Sequence, residues 1–120
     1  MNIPKIYDSE YRFCCVVWEH QPVRTGELVK LCEERLDWKK STVFTVLRRL
    51  CERGVMQNEN SVVTARYTRQ QVQHAESEEF LQRTFDGSLP QFIAAFAAGG
   101  RLTAEEIAAL QKMINEYKEG

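Results

Sequence analysis

The alternation of apolar and polar positions is clearest in residues 38–54. Four apolar residues recur there at helical spacing and form one stripe: Val43, Val46, Leu47 and Leu50. The opposite side carries mainly polar residues: Ser41, Thr45, Arg48, Arg49 and Glu52. Gly54 supplies the left-handed backbone that ends a helix. The pattern predicts an amphipathic helix that suits a DNA major groove, because small hydroxyls allow close approach and arginine binds guanine or phosphate.

Two shorter helices are predicted before this segment. Asp8 can cap a helix that runs to about His20. The apolar face of this helix carries Tyr11, Cys14, Cys15 and Trp18. Pro22 ends it, since proline disfavours a helical conformation in the preceding residue. Thr25 can cap a second helix to about Leu36. Its buried residues are then Leu28, Leu31 and Cys32. Three helices in this order predict a helix-turn-helix unit.

The period changes from helical to alternating after Gly54. Residues 55–59 and 62–68 are two β-prone runs with Asn60 and Ser61 between them as a turn, which predicts a hairpin. We therefore expect a mainly α fold with a small β-hairpin wing. Residues 1–70 would form a winged helix-turn-helix DNA-binding domain, and residues 71–120 a helical dimerisation domain.

Three further helices are predicted in the second region. The first runs over residues 72–85, the second begins near Ser88 and ends at Gly99-Gly100, and the third opens with a capping box at residues 103–106. Their apolar faces carry Phe92, Ile93, Phe96, Ile107, Leu110, Ile114 and Tyr117. Helices this short cannot easily bury these faces alone. A homodimer is therefore favoured, and folding back onto the winged helix is the alternative.

The charge distribution fits DNA binding although the net charge is −1. Through Gln73 the chain has twelve basic against nine acidic residues, whereas from His74 onward it has four against eight. A mildly basic first part and an acidic second part are typical of DNA binding followed by protein contact. No run approaches the roughly 20 apolar residues of a membrane span, and no signal peptide is recognisable. The expected location is therefore the cytoplasm, with reduced thiols.

The sequence contains no pattern typical of an enzyme or a metal site. It has no Ser/His/Asp set, no paired carboxylates and no Gly-rich phosphate loop, so we expect neither catalysis nor a cofactor. The four cysteines form no CxxC pair and no ligand pattern with His20 or His74: Cys14, Cys15, Cys32 and Cys51. They are expected to pack as small hydrophobes. A metal- or redox-gated protein is a lesser alternative.

The order of these motifs resembles that of the penicillinase-repressor family of bacterial winged-helix regulators (BlaI/MecI/CopY type). The strongest similarity lies in residues 38–54, and the weaker blocks are residues 6–10, 16–20, 25–28, 67–68, 80–89 and 102–107. The resemblance implies a dimeric repressor that binds a palindromic operator in double-stranded DNA. It also adds four residues of segment 80–89 to the dimerisation surface: Phe80, Leu81, Phe85 and Leu89.

The resemblance also implies which residues bind DNA. Lys40, Ser41, Thr42 and Thr45 would make base or near-base contacts. Arg49 would hold the backbone or a base edge, Lys39 would hold a phosphate, and Arg48 lies on the same face. The family wing often has Gly-Arg at its tip, where this chain has Val62-Val63 after the acidic Glu59. Arg66 is then the nearest basic substitute.

Induction is the second point of departure from the family. In antibiotic-responsive members a membrane sensor protease system leads to cleavage at an Asn-Phe bond, and the matching position here is Ala95-Phe96. The cleavage specificity does not carry over without the asparagine, so cleavage and the sensor partner stay open. The copper-responsive branch ends in a Cys-x-Cys motif, which residues 112–120 lack.

Two functions are weighed against each other. The favoured one is a sequence-specific transcriptional repressor that acts as a homodimer. The alternative is a winged-helix protein-interaction module without specific DNA binding, which the near-neutral charge and the acidic wing tip favour slightly. The polar face that contains Thr45 and Arg49 discriminates between the two.

Overall fold

The computed structural model describes residues 2–119, with the side chain of Glu119 excepted. Three helices come first, with a short strand between the first two: α1 (Asp8–His20), β1 (Val23–Arg24), α2 (Thr25–Leu36) and α3 (Lys40–Glu52). A hairpin and three further helices follow: β2 (Met56–Glu59), β3 (Val62–Ala65), α4 (Arg69–Phe85), α5 (Leu89–Ala97) and α6 (Ala104–Glu119). The predicted class, mainly α with a winged helix-turn-helix, is confirmed.

The chain divides into two compact units, residues 1–76 and 77–120. The boundary falls inside α4 rather than at residue 70. The roles predicted for residues 1–70 and 71–120, DNA binding and dimerisation, stay predictions. None of the helices described within residues 2–119 is long and apolar enough to cross a membrane.

The core of the first unit is built mainly from α1, α2, α3 and the sheet, with further residues from the start of α4 and from the segments before α1 and β2. Its buried apolar residues are Ile6, Phe13, Cys14, Val16, Val17, Val23, Leu28, Cys32, Val43, Val46, Leu47, Leu50, Val55, Met56, Val63 and Val72. The predicted apolar face of α1 is partly wrong, because Phe13, Val16 and Val17 enter the core while Tyr11, Cys15 and Trp18 are only half-buried.

The half-buried aromatic residues of α1 hold the start of α4. Nε1 of Trp18 donates a hydrogen bond to the carbonyl oxygen of Tyr67 at 2.9 Å, and the Arg69 guanidinium lies over the Trp18 ring at 5.6 Å. Nε2 of Gln73 donates to the hydroxyl of Tyr11 at 3.3 Å. The first turns of α4 therefore belong to the winged-helix unit.

The predictions that Asp8 and Thr25 are N-caps are each wrong by one residue. The caps are Tyr7 and Arg24, and neither makes a side-chain cap hydrogen bond. The backbone N–H of Tyr7 instead donates to Oε1 of Glu10 at 3.0 Å. Asp8 occupies the first helical position, where its negative charge still favours the helix N-terminus.

The wing is part of a three-stranded antiparallel sheet in the order β1-β3-β2. Asn60 and Ser61 form the predicted turn and have φ angles of 52° and 65°. Two successive positive φ values define the tight hairpin turn whose twist matches the flanking strands. The sequence did not predict β1, which pairs Val23 with Val63 and Arg24 with Val62.

Caps set the start and end of α4 and the start of α6. Thr68 and Gln71 exchange hydrogen bonds of 2.8 and 3.1 Å, so α4 starts at Arg69 rather than at residue 72. The predicted capping box of Thr103 and Glu106 is confirmed by bonds of 3.0 and 3.1 Å. The predicted stop after α4 is also confirmed, since Asp86 and Gly87 have φ angles of 56° and 83°.

Candidate nucleic-acid interface

The core holds α3 along its apolar stripe. Val43, Leu47 and Leu50 are buried, and the Trp38 ring just before the helix stacks on Phe13 with 5.9 Å between ring centroids. The opposite side of the helix is therefore free to face a partner.

The end of α3 follows the prediction made for Gly54, which has a φ angle of 79°. Its backbone N–H donates to the carbonyl oxygen of Cys51 at 3.0 Å, and that of Val55 donates to Leu50 at 2.8 Å. This pair of bonds is the Schellman motif. It turns the chain sharply from α3 into the wing.

The exposed side of α3, which we call the polar face, carries the residues predicted to bind DNA. Lys40, Ser41, Thr42, Arg48 and Arg49 are exposed, and Thr45 is half-buried. Lys39 is the exposed N-cap of the same helix. The structure thus brings seven of the eight predicted DNA-binding residues to one helix. Their contact with DNA stays a prediction.

Most basic groups on the polar face are free to move toward an anion. Arg48 lies 3.9 Å from Glu52 across one helical turn, and about two thirds of each side chain is exposed. Such an exposed pair contributes little stability and breaks at small cost. Nζ of Lys40 lies 6.0 Å from the centroid of the Phe44 ring. The first turn of α3 also presents unbonded backbone N–H groups, which favour nearby phosphate.

Arg66, the eighth predicted residue, lies at the base of the wing rather than at its tip. Its backbone N–H donates to the carbonyl oxygen of Val55 at 2.9 Å, beyond the Met56–Ala65 end of the hairpin. The tip is formed by Asn60 and Ser61. Arg66 therefore cannot replace a basic residue at the tip.

The structure brings a different basic residue to the tip. Arg24 pairs with Val62 in the sheet, and the backbone N–H of Thr25 donates to the carbonyl oxygen of Ser61 at 3.0 Å. Arg24 is exposed. Sequence reasoning missed it because a two-residue strand leaves no alternating pattern to detect.

Phe44 is the second residue that sequence reasoning missed. It lies on α3 outside the apolar stripe and is 40% exposed. The available signal was its position, since it follows Val43 by one residue and must point about 100° away from it.

The second unit carries a separate apolar surface. Among residues 77–118, every side chain is at least partly exposed. A groove of about 480 Å³ is lined by residues from α5, α6 and the link between them: Leu89, Ile93, Leu102, Ile107, Leu110, Gln111, Met113, Ile114 and Tyr117. Ile114 is 64% exposed and Tyr117 83%. Six of the eleven residues predicted for dimerisation line this groove.

The remaining predicted dimerisation residues are mostly aromatic and pack on one another. Phe85 and Phe92 have centroids 5.4 Å apart, and Phe80 lies 5.7 Å from Phe92. Phe96 lies 6.1 Å from Phe92 and remains 44% exposed. Leu81 is half-buried. These rings pack α4 against α5. The groove residues, in contrast, line an open groove among the described residues 77–118.

The cysteines are arranged for packing rather than for reactivity. Cys14 and Cys32 are buried, and Cys15 and Cys51 are half-buried. Burial raises the pKa of Cys14 to about 12 and that of Cys32 to about 11. Thiols with such pKa values are weak nucleophiles and poor metal ligands at neutral pH. Within residues 2–119, no three or more His, Cys, Asp or Glu side chains cluster to hold a metal ion.

Two relatives match almost the whole chain. The penicillinase repressor of Bacillus licheniformis is 28% identical over 121 residues, which cover 98% of this chain and 94% of that protein. An uncharacterised 16.5 kDa protein in the ptsI 3′ region of Latilactobacillus sakei is 26% identical over 117 residues, which cover 94% of this chain and 80% of that protein.

Two solved structures match just over half of the chain. One is the solution structure of the monomeric form of the Bacillus licheniformis BlaI in complex with the blaP half-operator, and the other is that of the DNA-binding domain of the repressor BlaI. Each has a TM-score of 0.50 and 29% identity, over 57% of this chain and 88% of that chain.

The family inferred from the sequence motifs is confirmed by these comparisons. The model of the penicillinase repressor family matches residues 6–116. The chain belongs to the penicillinase repressor family, whose members are transcriptional repressors rather than enzymes.

Proposed function

We propose that this protein is a transcriptional repressor that binds a specific double-stranded DNA operator through the polar face of α3. The observation that carries the proposal is that one side of α3 is apolar and buried while the opposite side is polar and exposed. One side is locked into the core by Val43 and Leu50. The other displays hydroxyls and four cations, the N-cap Lys39 included, with one acid, Glu52, beside them. Hydroxyl and arginine side chains are the groups that read base edges and phosphates.

Arg24 completes this surface at the wing. It takes the place of the basic residue that the family often has at the tip, and it offsets the acidic Glu59 next to the turn. Both residues pair with Val62, one from each neighbouring strand. A phosphate contact by Arg24 would position the protein without reading sequence.

The repressor acts as a homodimer in this proposal, with the groove of the second unit as the contact surface. A groove of about 480 Å³ lined by exposed aliphatic side chains is what a second copy of the same helices would cover. The two-fold symmetry of a dimer requires a palindromic operator, with half-sites about one helical turn apart. Occupation of that operator would exclude the polymerase.

Variants of the polar face test the repressor function. Arg49→Ala should weaken operator binding by about 1–3 kcal/mol and weaken binding to random DNA less. Thr45→Ala, which removes a neutral group, should affect the operator alone. If both variants repress as well as the wild type, the protein-interaction module is the better description. If Arg49→Ala weakens binding to the operator and to random DNA equally, Arg49 contacts phosphate only.

Release by proteolysis is the part of the family behaviour that fits this chain least. Ala95 and Phe96 are exposed but lie inside α5, so the bond becomes accessible to a protease only when that helix unwinds. No residue of α5 is fully buried, but unwinding of the helix would break the packing of Phe92 on Phe80 and Phe85. The intact mass of the protein recovered from cells before and after derepression tests this step. A fragment that ends at Ala95 would support cleavage by a sensor system, and an unchanged mass would contradict it.

A further inference from the structure

Phe44 interrupts the polar face of α3 with a large apolar side chain. Lys40 lies one turn before it and Arg48 one turn after it, and both are exposed. On a helical wheel Phe44 lies about 60° from Ser41 and about 40° from Arg48, which are near the middle of the polar face. From that angle, a side chain as long as phenylalanine extends further toward the floor of a groove than a short one does.

The edges of base pairs in the major groove offer one apolar group, the 5-methyl of thymine. A phenylalanine ring has no hydrogen-bonding atom. Placed against the N4 amino group of cytosine or the O6 of guanine, it would displace water and leave a polar atom without a partner, which costs free energy. Against a thymine methyl, the same ring buries apolar surface on both sides.

We propose that Phe44 reads the 5-methyl group of a thymine in each operator half-site. This inference rests on the proposed repressor function and names one element of its sequence specificity. The neighbours of the ring favour DNA over an apolar protein partner. Nζ of Lys40 lies 6.0 Å from the ring centroid, and Arg48 lies one turn away, so a protein seated on Phe44 would bury both cations. A groove lined by phosphates accommodates them.

The test begins with duplexes that the full chain selects from a random library, which define a consensus half-site. The consensus duplex is then synthesised with each thymine replaced singly, on both half-sites, by deoxyuridine, which lacks the 5-methyl group and keeps every hydrogen bond. Affinities of the wild type and of Phe44→Ala are measured by fluorescence anisotropy. Thermal melts of both proteins show whether the fold is intact.

For the wild type, one deoxyuridine position should weaken binding by about fourfold per half-site, the factor expected for one buried methyl. Phe44→Ala should bind the thymine duplex more weakly and should show no further loss at that position. Phe44→Leu, which keeps an apolar side chain, should keep part of the discrimination. Deoxyuridine at the other thymines should affect all three proteins alike.

Three results would overturn the inference, and they separate it from the proposed function. If every deoxyuridine substitution weakens the wild type and Phe44→Ala equally, or if the selected half-site contains no thymine, Phe44 does not read a methyl although the protein is still a sequence-specific binder. If the selection yields no consensus, the repressor proposal fails and this inference fails with it.

Discussion

Arg53 and Glu10 join the end of α3 to the start of α1. Nη2 of Arg53 donates a hydrogen bond to Oε2 of Glu10, and Nη1 donates to the carbonyl oxygen of Lys5 at 3.0 Å. Glu10 is the one buried acidic residue among those the structure describes. Burial acts to raise the pKa of Glu10, but the hydrogen bonds from Arg53 and from the backbone of Tyr7 outweigh it and hold the pKa below its ordinary value. The pair therefore ties the end of α3 to the start of α1.

Glu10→Gln should lower the free energy of unfolding by about 1–3 kcal/mol at neutral pH, because it removes the charged partner of Arg53. The folded pKa of Glu10 lies below the unfolded one. Its contribution is therefore complete above the ordinary value of 4.5 and is lost as the pH falls through 4.5 and the lower folded pKa. Urea denaturation at neutral and acidic pH measures this difference. The free energies of unfolding of the wild type and Glu10→Gln should become equal at low pH. Glu19→Gln is the matched control, since its partner Arg35 is exposed. If Glu10→Gln and Glu19→Gln lowered the free energy of unfolding equally, the burial of Glu10 would not explain the strength of its pair with Arg53.

Gly54→Ala should destabilise the protein by about 1–2 kcal/mol, because position 54 has a φ angle of 79° that residues with a Cβ rarely adopt. Apart from residue 54 itself and its chain neighbours, no atom lies within 4 Å of the added Cβ, so the cost is one of backbone conformation. Gly26→Ala, in the first turn of α2 with equally open surroundings, should be neutral or slightly stabilising. Thermal melts of the two variants test the difference. A stable Gly54→Ala would contradict the assignment of the helix end.

Helix α3 and the hairpin could be predicted because each has a strong local signal. The stripe that begins at Val43 sets the buried side of α3, and Gly54 sets its end. Asn60 and Ser61 are typical turn residues between two β-prone runs, so the sequence indicates where the first strand ends and the second begins. Thr103 fixes the start of α6 through a capping box that can be read from spacing alone.

The features that the sequence did not reveal depend on contacts between distant residues. Val23 and Arg24 become a strand only because β3 lies beside them, so the basic residue at the wing tip could not be found. The cap at Tyr7 depends on Glu10, whose own position depends on Arg53. Phe44 belongs neither to the apolar stripe of α3 nor to its list of polar residues, so the alternation of apolar and polar positions alone did not reveal its exposure.

Ile114→Asp should convert the proposed dimer into a monomer, because it places a charge in the groove of the second unit. Ile114 is 64% exposed in the protomer, so the substitution should leave the protomer folded. Leu110→Asp should act in the same way, but Leu110 is half-buried within its own protomer. Light scattering should give half the wild-type mass. Asn115→Asp adds the same charge at the next position outside the groove and should stay dimeric. A dimeric Ile114→Asp would exclude the groove as the interface.

Arg24→Ala should weaken binding to every DNA sequence by a similar factor, because a phosphate contact carries no sequence information. The slope of log affinity against log salt should fall by about 1. Arg12→Ala removes the same charge from α1, where it lines a groove with Gln73 and Glu76, and should leave the slope nearly unchanged. The salt titration of both variants measures this. An unchanged slope in Arg24→Ala would show that the wing tip does not contact DNA.

The most direct test of the central claim is the fluorescence anisotropy of the full chain on the promoter fragment upstream of its own gene. A scrambled duplex of the same length and composition serves as the reference, and both are titrated at several salt concentrations. We expect tight binding to the promoter and weaker binding to the scrambled duplex, with an affinity that falls as salt rises. Equal and weak binding to both duplexes would contradict a sequence-specific repressor.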